Sequence, residues 1–146
     1  MQTVLSPSIL SANFSCLADD VQRLEKSGIK DIHLDIMDGH FVDNITFGVG
    51  IIKSLRPCTK TNFDAHLMVT RPDALLAGLA DAGVNSVTVH KEACLHLYHT
   101  LETIKKLGMN GGVVLNPATD YESLKYVAED GLLTRVLIMS VEPGFG

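Results

Sequence analysis

The sequence predicts an α/β fold, a parallel (β/α)8 TIM barrel of which about six β/α units are present, in one incomplete domain covering residues 1–146. Two observations support this prediction. Short apolar runs, typical of buried parallel strands, alternate with segments of helical periodicity. Glycines suited to helix C-caps recur at Gly83, Gly108 and Gly131, after 25 and then 23 residues, which is the length of one β/α unit.

The apolar runs are rich in Val, Ile, Leu and Met and predict six strands, at residues 4–10, 31–37, 62–69, 86–90, 111–115 and 135–141. Apolar side chains at helical spacing predict helices between them, with faces formed by Phe14, Leu17, Val21 and Leu24, by Leu75, Leu76 and Leu79, by Leu97, Leu101, Ile104 and Leu107, and by Leu124, Val127 and Ala128.

Residues that start and stop helices agree with this alternation. Gly28, Gly83 and Gly108 each stand where a helix should end. Pro72 suits a first helical turn, and the spacing of Thr119 and Glu122 is that of a capping box. An open doubly wound sheet could also hold six parallel strands, but the first β/α turn, Ser-Ala-Asn-Phe at 11–14, lacks the glycine-rich dinucleotide fingerprint.

Composition narrows the function classes. The 146 residues are 46% hydrophobic and 20% charged, which predicts one globular domain with a sizeable core. A net charge of -5 with interspersed signs predicts neither a nucleic-acid partner nor a membrane surface. Cys16, Cys58 and Cys94 are too scattered for a disulfide framework or a zinc finger. With no signal sequence and no membrane-length apolar run, we expect a cytoplasmic protein acting on small molecules.

Polar side chains alternate with aliphatic ones on the second and third predicted strands. His33 and Asp35 share one face of residues 31–37, and Asp64 and His66 share one face of residues 62–69. Barrel enzymes place their active sites at the carboxyl ends of the strands. His33, Asp35 and His66 therefore suggest a site for a divalent transition metal. The alternative is that they are hydrogen-bonded polar residues of the core.

Two further features suggest a substrate pocket at the same end. Met37, Met68 and Met139 all fall at carboxyl ends of predicted strands and would form a polarizable cover, although methionine is more often core filler. The glycine-containing segment 142–146 follows the last strand and could expose backbone N–H groups to an anion, or be a plain turn.

Other histidines and cysteines are weaker candidates. Cys94, His96 and His99 could form a second metal set, but they lie at the start of a helix whose polar face should be solvated. His90 ends a strand and could line the pocket, although a hydrogen-bonded structural histidine is the better interpretation.

Five collinear segments, SPSILSA at 6–12, HLDIMDGHFV at 33–42, NITFG at 44–48, DAHLMV at 64–69 and MSVEPGFG at 139–146, resemble the ribulose-phosphate 3-epimerase family. The resemblance implies an isomerase of the pentose phosphate pathway and of carbohydrate metabolism. Its sugar-phosphate substrate is inverted at C3 through an enediolate, which interconverts D-ribulose 5-phosphate and D-xylulose 5-phosphate. It also implies a homo-oligomer.

The same resemblance implies roles for individual residues. His33, Asp35 and His66 would be three of four ligands to one divalent ion, Fe2+, Zn2+, Mn2+ or Co2+, and Asp35 would also be a catalytic acid/base. The residues that would contact substrate are Ser8, His66, Met37, Met68, Met139, Gly144, Phe145 and Gly146.

The sequence departs from the family pattern at its carboxyl end. The family's second acid/base, an aspartate that is also the fourth metal ligand, belongs to a seventh strand, and part of the phosphate grip belongs to an eighth. We therefore expect poor epimerisation by 146 residues alone. The alternatives are a related epimerase acting on allulose 6-phosphate, a non-catalytic remnant that binds a metal or a sugar phosphate, and a metal-dependent hydrolase barrel.

Overall fold

A computed structural model describes residues 3–144, which form a five-stranded parallel sheet with its strands in the order of the chain. The strands are β1 (Asp31–Met37), β2 (Asn62–Met68), β3 (Ser86–His90), β4 (Asn110–Leu115) and β5 (Arg135–Ile138). The helices are α1 (Leu17–Lys26), α2 (Val49–Leu55), α3 (Asp73–Asp81), α4 (Leu97–Lys106) and α5 (Lys125–Glu129). Sequential parallel strands joined by helices confirm the predicted α/β class. Within residues 3–144, no helix is long and apolar enough to cross a membrane.

The prediction of a first strand at residues 4–10 is wrong. Within residues 3–144, the only ladder contacts of this segment are one parallel bridge from Ser8 to His33 and a hydrogen bond from the His33 N–H to the Pro7 carbonyl at 2.9 Å. A 3-10 helix follows at Ile9–Ser11. Pro7 has no N–H to donate to a ladder, and this segment has no second neighbour within residues 3–144. The six predicted strands are therefore five strands and one bridged segment.

The helix ends follow the glycines, but one predicted cap is displaced. Gly28, Gly83, Gly108 and Gly131 have φ of 91°, 77°, 80° and 64°, which confirms the predicted left-handed caps. A 3-10 helix at Tyr121–Leu124 leads into α5, and its cap is Asp120, whose side chain accepts from the Glu122 N–H at 2.9 Å. The predicted cap, Thr119, instead donates its hydroxyl to Glu92.

The alternation of side chains on the strands divides the interior into two parts. Ile32, Leu34 and Ile36 belong to the main core, which includes side chains of the helices, among them Val21, Ile52, Leu76, Leu101 and Val127. Met37 and Met68 instead form a separate cluster with Val42. The polar residues of β1 lie on the same face of the strand as Met37, so they point away from the helices, as predicted.

The edge strand β5 leaves apolar side chains open to solvent. Val136 is 45% exposed and Ile138 is 63% exposed, and within residues 3–144 the strand pairs only with β4. Unpaired apolar edges favour association between copies.

We expect a protein of these 146 residues to sediment as a concentration-dependent mixture of monomers and larger species. Ile138→Lys should shift the mixture towards monomer, because a charge on the edge opposes pairing. Leu95→Lys, at a side chain that is 90% exposed elsewhere on the surface, is the matched control and should leave the distribution unchanged. A monomer at all concentrations would contradict this expectation.

Candidate metal centre

Two neighbouring strands bring His33, Asp35 and His66 together. Asp35 on β1 lies beside His66 on β2 in the parallel register, and His33 lies two residues earlier on the same face. The Asp35 Oδ1 atom is 3.3 Å from His33 Nε2 and 3.1 Å from His66 Nδ1, and one ligand atom from each residue lies within 4.8 Å of the others. Two imidazole nitrogens and a carboxylate oxygen are a donor set that fits a first-row divalent cation.

Asp35 is held in the charged form that such a ligand requires. Burial opposes its ionisation, but hydrogen bonds from His33, His66 and the Ser8 hydroxyl lower the pKa of Asp35 well below its usual range. Ser8 contacts Oδ2, so the two carboxylate oxygens have different partners. The Thr46 hydroxyl donates to the Asp35 carbonyl at 2.6 Å and accepts from the Met37 N–H at 3.0 Å, which fixes this end of β1.

His33 is held from behind by a second carboxylate. Its Nδ1 is 3.2 Å from Oδ2 of Asp64, and the same oxygen is ion-paired with Arg135 of β5. Burial alone would lower the pKa of His33, but the hydrogen bonds to Asp35 and Asp64 raise it to about 9. A carboxylate on the outer nitrogen fixes the orientation of an imidazole ligand and keeps Nδ1 protonated, so Nε2 is the nitrogen that would release its proton when a cation binds.

The strand pattern predicts Asp64 on the inner face but indicates no role for it, and it does not point to Arg135 as its partner. The ion pair joins β2 to β5, which are not adjacent in the sheet. Strand alternation is the signal that points to this ion pair. Arg135 is two residues before Leu137 and four before Met139, so it lies on the face of the strand that is predicted to point inwards.

The three side chains lie at a cavity of about 280 Å³. It is lined by Leu10, His33, Asp35, Met37, His66, Met68, Leu137, Ile138, Met139, Ser140 and Gly144. All three predicted methionines are therefore in its wall, together with the three ligand candidates. A larger hollow of about 480 Å³, beside Gly28 and Lys30, contains none of the predicted site residues.

Gly144 is the described part of the predicted phosphate grip. Its φ is +96°, and a Cβ added there would lie 2.9 Å from the Cβ of Val42, so the loop can approach the β1 end only with glycine at this position. The Asn44 side-chain amide donates to the Gly144 carbonyl, which connects the two loops. The other two predicted residues, Phe145 and Gly146, lie outside the described residues.

The remaining candidates do not join a second metal site. Within residues 3–144, His33, Asp35 and His66 form the only group of three or more His, Cys, Asp or Glu side chains that is close enough to hold a metal ion. Cys94 is buried, and burial raises the pKa of its thiol to about 11, while His96 and His99 are exposed. His90 does not line the cavity, but its Nε2 is 2.8 Å from His66 Nε2.

Comparisons of the sequence with known proteins point to one family. A model of the ribulose-phosphate 3 epimerase family matches residues 4–146. The chain is 46% identical to the ribulose-phosphate 3-epimerase of Bacillus subtilis, over 97% of this chain and 64% of that protein. It is 45% identical to the chloroplastic ribulose-5-phosphate-3-epimerase of Arabidopsis thaliana, over 98% of this chain and 51% of that protein. The chain thus spans about half to two thirds of the length of these curated relatives.

Solved structures show the fold. The tryptophan synthase subunit of Pyrococcus furiosus superposes with a TM-score of 0.67 at 16% identity, covering 92% of this chain and 64% of that one. CutC of Streptococcus agalactiae, described as a putative copper homeostasis protein, gives a TM-score of 0.57 at 13% identity, covering 84% and 61%. At these identities the likeness concerns the fold alone.

Proposed function

Because this chain belongs to the ribulose-phosphate 3-epimerase family, we propose that it carries part of the active site of an enzyme that interconverts D-ribulose 5-phosphate and D-xylulose 5-phosphate. The observation that supports this most strongly is the convergence of His33, Asp35 and His66 on one cavity, with Ser8 bonded to the carboxylate.

Asp35 is the proposed acid/base at C3. The C3 proton is alpha to a ketone, so its removal leaves an enediolate with negative oxygens. A bound divalent cation would supply positive charge to those oxygens. Asp35 is an anion in its resting state and can accept the proton on one face, and the Ser8 hydroxyl on Oδ2 fixes the direction of that oxygen. The proton that returns on the opposite face would come from the second acid/base that the family carries on a seventh strand.

The other cavity residues are proposed to bind and shield the substrate. Met37 and Met68 are buried and Met139 is partly buried, so their side chains would exclude water from the reacting carbon. The backbone of Gly144, with Phe145 and Gly146, would start the phosphate grip. His33, Asp35 and His66 would hold one ion, Fe2+ or Zn2+ first and Mn2+ or Co2+ next.

Deuterium incorporation tests this function directly. The protein, purified at the length at which its cell makes it, is incubated in D2O with ribulose 5-phosphate and followed by proton NMR. We expect xylulose 5-phosphate to form with loss of the C3 proton signal, and allulose 6-phosphate to react more slowly. Binding of metal and sugar phosphate without exchange at C3 would support the non-catalytic alternative. A cytoplasmic location and a homo-oligomeric state stay predictions.

A further inference from the structure

A second buried imidazole touches the metal centre from behind. The side chain of His90 is 0% exposed, and its ring stacks on that of His66 with centroids 4.9 Å apart and an interplanar angle of 23°. Phe41 covers it as well, with ring centroids 4.7 Å apart. The two Nε2 atoms are 2.8 Å apart, so one of them carries a hydrogen and donates it to the other.

The two Nδ1 atoms of this pair, which do not face each other, each lie near a carboxylate. His66 Nδ1 is 3.1 Å from Asp35, and His90 Nδ1 is 3.6 Å from Oε2 of Glu92. His90 Nδ1 has no hydrogen-bond partner within residues 3–144, although it is buried. Glu92 is itself fixed, because its Oε1 accepts from the Asn116 N–H at 3.0 Å and from the Thr119 hydroxyl. Its Oε2 therefore points at a buried nitrogen that needs a partner.

Only two proton arrangements satisfy a neutral pair. In one, His66 donates Nδ1–H to Asp35 and His90 donates Nε2–H to His66. In the other, His66 donates Nε2–H to His90, His90 directs Nδ1–H towards Glu92, and His66 Nδ1 carries a lone pair. A cation at the centre requires the second arrangement, because a protonated nitrogen cannot be a ligand.

We propose that His90 and Glu92 are positioning residues for His66. The Glu92 carboxylate can only accept, so it favours Nδ1–H on His90, and His90 then accepts the Nε2–H of His66. This leaves His66 Nδ1 unprotonated beside Asp35, where the proposed ion would bind. The inference rests on the proposed function, because these hydrogen bonds position His66 as a ligand only if the proposed metal centre exists. It parallels the carboxylate behind His33, so each imidazole ligand would have a partner on its outer nitrogen.

Ring-nitrogen NMR of the unmodified chain tests the proton arrangement without any substitution. Protein labelled with nitrogen-15 in histidine is recorded with one equivalent of Zn2+, and the His90→Gln spectrum identifies the His90 signals. We expect zinc-loaded protein to have Nε2–H on His66 and Nδ1–H on His90. Nε2–H on His90 in zinc-loaded protein would overturn the proposal.

Zinc affinity, measured against a competing chelator dye, tests the energetic consequence. His90→Phe removes the acceptor and should weaken Zn2+ binding about 10- to 100-fold, the range found for partners of metal-ligating histidines. His90→Gln should restore most of the affinity, since its amide oxygen can accept from His66 and its NH2 can donate to Glu92. Thr88→Val, at another buried position of β3, is the matched control and should bind as the unmodified chain does.

The outcomes separate this inference from the function on which it rests. Zinc binding by His90→Phe as tight as that of the unmodified chain would overturn the positioning role alone. Failure of the unmodified chain to bind one Zn2+ would overturn the proposed metal centre and this inference with it. Circular dichroism spectra of all variants show whether a loss of affinity is a loss of fold, and the NMR result decides the proposal where His90→Phe does not fold.

Discussion

Asp35→Asn is expected to lower kcat/KM for epimerisation of ribulose 5-phosphate by about 10²- to 10⁴-fold, the usual contribution of a positioned acid/base. Asparagine has nearly the same shape and its oxygen can still accept from the Ser8 hydroxyl, so the fold should survive. It cannot take up the C3 proton, and it is a weaker ligand than a carboxylate. The rate is measured by a coupled assay for xylulose 5-phosphate, on protein of natural length.

Metal content and a matched variant separate the two roles of Asp35. Asp31→Asn changes a carboxylate at the opposite end of β1, where Asp31 accepts from the Asn62 side chain at 3.1 Å, and should leave the rate unchanged. If excess divalent metal restores Asp35→Asn to the normal rate, Asp35 is a ligand and not the base. A normal rate without added metal would remove Asp35 from the mechanism altogether.

The inner face of the barrel could be predicted because its signal is local. Along β1, the polar side chains of His33 and Asp35 alternate with the fully buried Ile32 and Leu34, and two-residue periodicity requires no knowledge of the rest of the chain. Parallel pairing then places the polar face of β2 beside the polar face of β1, so His66 lies next to Asp35. The identities of the metal and of the catalytic base are chemical expectations that this geometry supports, and they stay predictions.

The features that the sequence does not predict depend on partners distant in the chain. Residues 4–10 have strand-like composition, but a strand also needs neighbours, and this segment has one bridge to His33. Arg135 reaches Asp64 across the interior of the sheet, and His90 meets His66 through the register of β2 and β3. Neither contact has a fixed spacing in sequence. Thr119 was predicted as a cap from local spacing, but its hydroxyl bonds to Glu92, 27 positions away.

Removing the divalent cation with a chelator should lower kcat by about a thousandfold. A metal at an enediolate contributes several kcal/mol to transition-state stabilisation, and each ~1.4 kcal/mol corresponds to a tenfold change in rate. Fe2+, Zn2+, Mn2+ or Co2+ should restore activity after dialysis, because imidazole nitrogens and a carboxylate suit these ions. The activity is measured with each ion in turn, alongside metal content.

Magnesium and calcium distinguish imidazole ligation from a site made of carboxylates alone. Both ions prefer oxygen ligands, so neither should restore the rate if His33 and His66 bind the ion. His66→Gln should not be reactivated by any of the metals, whereas His99→Gln, at an exposed histidine outside the site, should be reactivated normally. Full recovery with Mg2+ would mean that the imidazoles do not bind the ion. The contacts of His33 with Asp64 and of His66 with His90 would then be core hydrogen bonds without a role in metal binding.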